Sequence, residues 1–202
     1  ELLAAKTKGK VYLEDAGFDW KVLGPDASEE NLPYIAWQCD QDAYACSGQK
    51  CSAQSILFAH RNWAQLGLYE RMAALASKRN LKELTIGPVL SWTTEAMLAH
   101  AQKLLSIPGA KVLFGAKELS GHSIPKVYGA VEPTAIFVPL AELIKPENFD
   151  TVSTEVFGPF QVVTEWGDGD EGVVLDALER MSHHLTAAVV SNDINFVQRM
   201  IG

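Results

Sequence analysis

No apolar stretch in this chain is long enough to cross a bilayer: the longest, such as Ala135 to Leu140 and Leu185 to Val190, fall far short of the roughly 20 residues a spanning helix needs. Membrane insertion is therefore not expected, and no positively charged, apolar, small-residue targeting segment opens the chain. Positive charge is also short, with 17 Lys and Arg against 25 Asp and Glu and a net charge of -8. No basic cluster with interleaved aromatics offsets that field locally, which argues against a nucleic-acid partner. Cysteine is sparse. Cys39, Cys46 and Cys51 form an odd set within thirteen positions, unsuited to a disulfide framework or a paired CxxC site. Reduced thiols in an intracellular compartment fit better. A zinc site would need a fourth ligand, yet the nearest histidine, His60, lies beyond a predicted strand, so no metal is expected.

What is present is a chain of 202 residues, 48% of them hydrophobic, enough for one domain or one domain with a remnant of another. Glu1 to Lys8 reads as the end of a helix and Lys10 to Leu13 as a short strand, after which the turn residues of Asp15 to Gly17 and Gly24 to Asp26 imply a loop. A helix is predicted through Tyr34 to Tyr44 and a buried strand at Ala53 to Ala59. Apolar stripes predict helices over Gln65 to Ser77 and Thr94 to Ser106. Strands are predicted at Lys111 to Ala116, Thr134 to Leu140, Phe160 to Trp166 and Leu185 to Ser191, with a helix ending at Met181 and another starting at Asn195. Strands alternating with helices imply an α/β domain with a mainly parallel sheet flanked by helices and one antiparallel element. The five tryptophans are scattered rather than striped and read as core and domain-contact residues.

The chemistry concentrates in Tyr44 to Ala53, where a helix breaks at Ser47-Gly48 and a strand follows Cys51. A cysteine on such a loop is exposed, and the neighbouring Lys50 favours the thiolate, the nucleophilic form. The alternative is a buried inert thiol, the commoner fate of a free cysteine.

Gly48-Gln49-Lys50-Cys51 resembles the GQxC motif around the nucleophile of the aldehyde dehydrogenase superfamily. Glu155-Val156-Phe157-Gly158-Pro159 resembles its E-[IV]-F-G-P motif, and Leu13-Glu14-Asp15-Ala16-Gly17 stands where the family has L-E-L-G-G. Glu14 precedes Cys51 by 37 positions and Glu155 follows it by 104, in the family's order and close to its spacing. Gly48 to Ala53 is most similar to the Δ1-pyrroline-5-carboxylate dehydrogenase branch, and Asp15 to Pro25, Ala36 to Ser55 and Leu185 to Asp193 resemble its plant members.

The resemblance implies the family's catalytic fold from Gly17 onward, with residues 1–16 a remnant of a nucleotide-binding domain. It implies oxidation of L-glutamate γ-semialdehyde to glutamate with NAD, in proline catabolism and in the mitochondrial matrix. Cys51 would add to the aldehyde carbon, giving a thiohemiacetal that passes hydride to the nicotinamide and leaves a thioester. Glu14 would be the general base for the hydrolytic water, and the Cys51 backbone N–H one oxyanion donor. Glu155 would accept from the nicotinamide ribose hydroxyls and Phe157 would pack beside that ring. Ser52 would hold the substrate's α-carboxylate. On residue type alone, Glu155 reads equally as a surface carboxylate and Ser52 as a strand-initiating serine satisfying a backbone group.

Asp15-Ala16 departs from the family's Leu-Gly or Thr-Gly after the glutamate. Cys46, where many members carry asparagine, reads as a small core residue, with a regulatory disulfide to Cys51 as the alternative. His183-His184 reads as a capping or surface pair. The family's glycine-containing nucleotide motif, adenosine-ribose lysine and oligomerisation hairpin are not visible, and the family continues past Gly202. The resemblance thus implies a domain fragment that binds NAD weakly, does not turn over aldehyde alone, and associates with copies of itself or other chains. The competing readings are a non-catalytic structural subunit and a thiol esterase using Cys51 without NAD.

Overall fold

A computed structural model describes residues 2–11, 17–181 and 184–202. After α1 (Leu2–Lys6) come β1 (Asp19–Leu23), α2 (Leu32–Tyr44), a 3-10 turn (Ala45–Gly48) and β2 (Gln54–His60). These are followed by α3 (Arg61–Gln65), α4 (Leu68–Ala76), α5 (Thr94–Leu105), β3 (Lys111–Phe114) and β4 (Thr134–Phe137). The chain continues through α6 (Leu140–Leu143), α7 (Pro146–Val152), β5 (Phe160–Trp166), α8 (Glu171–Arg180), β6 (Ala187–Val190) and α9 (Ile194–Ile201).

Six strands form one sheet in the order β3-β4-β5-β2-β1-β6, all neighbours parallel except the antiparallel pair β3 and β4. The α/β architecture with one antiparallel element is therefore as expected. Side chains alternate across the strands, so each apolar strand feeds two cores. Ile56, Phe58, Val162, Ile136 and Val22 pack with α5 through α9. Leu57, Ala59, Val163, Ala135 and Leu23 pack with α2, α3 and α4 on the opposite face.

The clearest correction is β1, which lies in the interior of the sheet where the turn residues implied a loop. All five of its residues are buried, although Asp19 and Lys21 are charged. The structure tolerates them because each has partners. Lys21 pairs with Asp42 of α2, and Asp19 Oδ1 accepts the backbone N–H groups of Leu185 (2.7 Å) and Thr186 (2.9 Å), tying β1 to the approach to β6. The helix predicted over Gln65 to Ser77 is divided: Gly67, at φ +84°, separates α3 from α4. Lys10 and Val11 form no strand, and Tyr12 and Leu13 lie outside the described residues.

No helix among the described residues is long and apolar enough to cross a membrane.

Candidate active site

β5, β2 and β1 are adjacent and parallel, so the segments entering them emerge at one edge of the sheet, at the amino ends of the strands. Ligands of open α/β sheets usually gather at the opposite, carboxyl ends. Here the described residues of the three motifs lie at the amino ends: Gly17 enters β1, Gly48 to Ser52 enter β2, and Glu155 to Pro159 enter β5. The cysteine loop is central, between the other two. Glu14 itself lies outside the described residues, as do Leu13, Asp15 and Ala16.

The cysteine loop is built by an unusual run of backbone angles. After α2 ends at Tyr44, Cys46, Ser47 and Gly48 adopt φ of 55°, 57° and 66° in succession. Two of these are not glycine, and such residues occupy the left-handed region at a cost of about 1–2 kcal/mol each. Two turns complete the descent into β2: Gln49 N–H donates to Cys46 O (3.2 Å), and Ala53 N–H to Lys50 O (3.0 Å). Cys51 and Ser52 are exposed at the apex and Lys50 is half-buried. Cys46 is exposed as well, so its expected place in the core is not borne out: the left-handed turn leaves it outside. All three cysteines are free thiols. Cys39 is fully buried, and that burial pushes its thiol up to about 11, which makes it the inert one.

The second loop meets the first backbone to backbone. A Cβ at Gly48 would overlap the carbonyl group of Gly158, so the approach requires glycine at position 48. Glu155 and Phe157 are half-buried on this second loop and Val156 is buried beneath them.

A third segment carries no sequence motif. Gly87 to Ser91 crosses both loops: Gly87 N–H donates to Ser47 Oγ (2.7 Å), Gln49 Nε2 donates to Pro88 O (2.9 Å), and Leu90 N–H donates to Gln49 Oε1 (2.8 Å). Ser91 Oγ donates to Phe157 O (3.4 Å). The Gly-Pro pair was the only local signal, and such pairs mark ordinary turns.

A pocket of about 180 Å3 opens beside the cysteine loop, lined by Lys50 and Ser52 with Asp19, Lys21, Asp42 and Gln54. Burial raises the Asp19 carboxyl above its ordinary range despite the opposing hydrogen bonds from Thr186 and Leu185. Larger pockets of about 540 and 450 Å3 lie along the excursion between β3 and β4, and none of the expected site residues lines them. Among the described residues no group of three or more His, Cys, Asp or Glu could hold a metal ion.

The aldehyde dehydrogenase family model matches residues 2–202. The chain belongs to that family. Among aldehyde dehydrogenases it is 62% identical over its whole length to a probable aldehyde dehydrogenase of Linum usitatissimum. It is 61% identical over its whole length to the mitochondrial Delta-1-pyrroline-5-carboxylate dehydrogenase 12A1 of Arabidopsis thaliana. The chain spans 36% of the length of each of these relatives. Among solved structures, a mutant aldehyde dehydrogenase of Bacillus cereus superposes with a TM-score of 0.76 at 24% identity, over 98% of this chain and 38% of the other. The Delta-pyrroline-5-carboxylate dehydrogenase of Mycobacterium tuberculosis gives 0.73 at 21%, over 93% of this chain and 33% of the other. These structural likenesses establish the aldehyde dehydrogenase fold.

Proposed function

We propose that this chain is the thiol-bearing part of an NAD-dependent aldehyde dehydrogenase that oxidises L-glutamate γ-semialdehyde, formed from Δ1-pyrroline-5-carboxylate, to glutamate. The observation that carries the reading is the exposure of Cys51 at the apex of a loop in backbone contact with the Glu155-bearing loop. The choice of aldehyde rests on the 61% identity to the Arabidopsis relative of that name, which also supports a mitochondrial location. Residues 17–202 are then the catalytic domain, and residues 1–16 the end of a nucleotide-binding domain.

In this reading the Cys51 thiolate attacks the aldehyde carbon, and the carbonyl oxygen becomes an oxyanion that accepts from the Cys51 backbone N–H. Ser52, exposed beside the nucleophile, holds the far carboxylate of the substrate. Once the carbon has lost its hydride the acyl group remains on Cys51 as a thioester. Glu14 takes a proton from the water that attacks it, releasing the carboxylate product and the Cys51 thiolate. The residues present fit the nicotinamide end of the cofactor, since a half-buried carboxylate and a half-buried ring, Glu155 and Phe157, stand on the loop that touches the cysteine loop. NAD, when bound, supplies the acceptor for the hydride.

The 202-residue chain alone binds NAD weakly and does not turn over aldehyde, and exposed apolar side chains such as Leu84 and Leu90 favour its association with further protein surface. The test is NADH formation from glutamate semialdehyde by the whole protein. Turnover that falls to background in Cys51→Ala supports the proposal, and turnover that survives it overturns the assignment. Steady NAD-dependent oxidation by the 202-residue chain alone would contradict the role given to a separate cofactor-binding domain.

A further inference from the structure

The strap Gly87 to Ser91 belongs to no helix or strand, yet its hydrogen bonds run to both loops of the candidate site. On one side it holds Ser47 and Gln49, the residues flanking Gly48. On the other, Ser91 reaches the Phe157 carbonyl. Between these ends Val89 exchanges two backbone hydrogen bonds with Gly129, both 2.8 Å, which anchors the strap to the rest of the fold. Val89 and Met97 also close on Gly158: a Cβ there would lie 3.3 Å from Val89 Cγ2 and 2.9 Å from Met97 Cε. Gly158 is thus enclosed, with Gly48 against its carbonyl and the strap's Val89 beside the space a Cβ would take.

The left-handed backbone of Cys46 and Ser47 gives this enclosure an energetic role. A turn that costs about 1–2 kcal/mol per residue to hold relaxes unless neighbouring bonds oppose it. Ser47 is 5% exposed, and its hydroxyl is where the strap opposes that relaxation, by way of the Gly87 N–H. Relaxation at Ser47 would move Gly48, and Gly48 cannot move toward Gly158 without displacing the second loop.

We infer that Gly87 to Ser91 is a positioning strap, bonded to Ser47 at one end and reaching Phe157 through Ser91 at the other, that locks the Cys51 loop and the Glu155 to Pro159 loop at one separation. Its catalytic meaning rests on the function proposed above; the mechanical coupling does not. Neither serine is assigned contact with substrate or cofactor, so both are positioning residues. Strain at one loop is felt at the other because packed backbone has discrete arrangements rather than a continuous range.

The experiment is amide hydrogen exchange on the 202-residue chain, with iodoacetamide labelling of Cys39 as a fold check. Ser47→Ala is expected to speed exchange about tenfold, the equivalent of one lost hydrogen bond, in residues 46–53 and also in residues 156–160. Ser91→Ala is expected to do the same from the opposite end. Ser47→Asn restores protection in both loops, because asparagine tolerates the left-handed region and offers a side-chain carbonyl as acceptor. Faster exchange confined to residues 46–53 in Ser47→Ala and to residues 156–160 in Ser91→Ala overturns the coupling. So does uniform acceleration with Cys39 labelled, which reports global unfolding. An unreactive Cys51 in the same labelling run would instead count against the proposed nucleophile, leaving the exchange result to stand by itself.

Discussion

Gly48 and Gly158 stand against each other in a contact that leaves no room for a Cβ on the Gly48 side. One belongs to the motif around Cys51 and the other to the motif around Glu155. The two strings lie more than a hundred positions apart in sequence and meet because β2 and β5 are parallel neighbours entered from the same edge.

Gly48→Ala should therefore be severe. It combines the left-handed penalty at φ +66° with backbone overlap, for a total of roughly 3 kcal/mol. Gly169→Ala is the control: its φ is +93° and a Cβ there meets nothing within 4 Å, so only the backbone component of about 1 kcal/mol is expected. Urea unfolding of both variants measures the difference, and equal losses would remove the steric argument.

Arg79 and Asp40 form a buried ion pair, their side chains 9% and 3% exposed, at the end of α2 from which the cysteine loop departs. Arg79 also donates to Tyr44 O and to Thr85 O just before the strap. Arg79→Met leaves Asp40 charged and without its cation, and a loss of about 3–5 kcal/mol is expected. Adding Asp40→Leu should recover much of it. A double variant as unstable as the single one would mean that the arginine acts through its carbonyl contacts instead.

His100 is packed between the rings of Trp92 and Phe160, centroids 5.9 and 5.6 Å away. Burial, with a smaller contribution from Lys103, lowers its pKa from 6.5 to about 4. On acidification the unfolded chain takes up this proton near pH 6.5 while the folded chain resists until about pH 4. Stability present above pH 6.5 is thus lost progressively down to pH 4, by roughly 3 kcal/mol. His100→Phe should flatten that part of the urea-midpoint profile, and an unchanged acid slope would assign the sensitivity to other groups.

Much of this arrangement is legible in the residues themselves. The apolar runs of β2 and β5 and the stripe of α5 carry their burial in plain periodicity, and the cysteine loop is marked by a helix breaking at Ser47-Gly48. β1 is not legible in that way, because Asp19 and Lys21 look solvated until their partners at Leu185, Thr186 and Asp42 are in view. Ser47 and the strap were hidden for a related reason: bonds across some 40 positions leave no local pattern. The exposure of Cys46 follows from a left-handed turn at residues that rarely adopt one, which composition does not announce.

The proposal that Cys51 is the nucleophile, its sulfur exposed where a carbonyl carbon can reach it, is tested most directly by competitive iodoacetamide labelling with peptide mapping. At neutral pH Cys51 is expected to be alkylated ahead of Cys46, which is also exposed, with Cys39 unmodified and with glutamate semialdehyde protecting Cys51 alone. Cys46 reacting first, or Cys51 labelling at the same rate with and without the aldehyde, would contradict it.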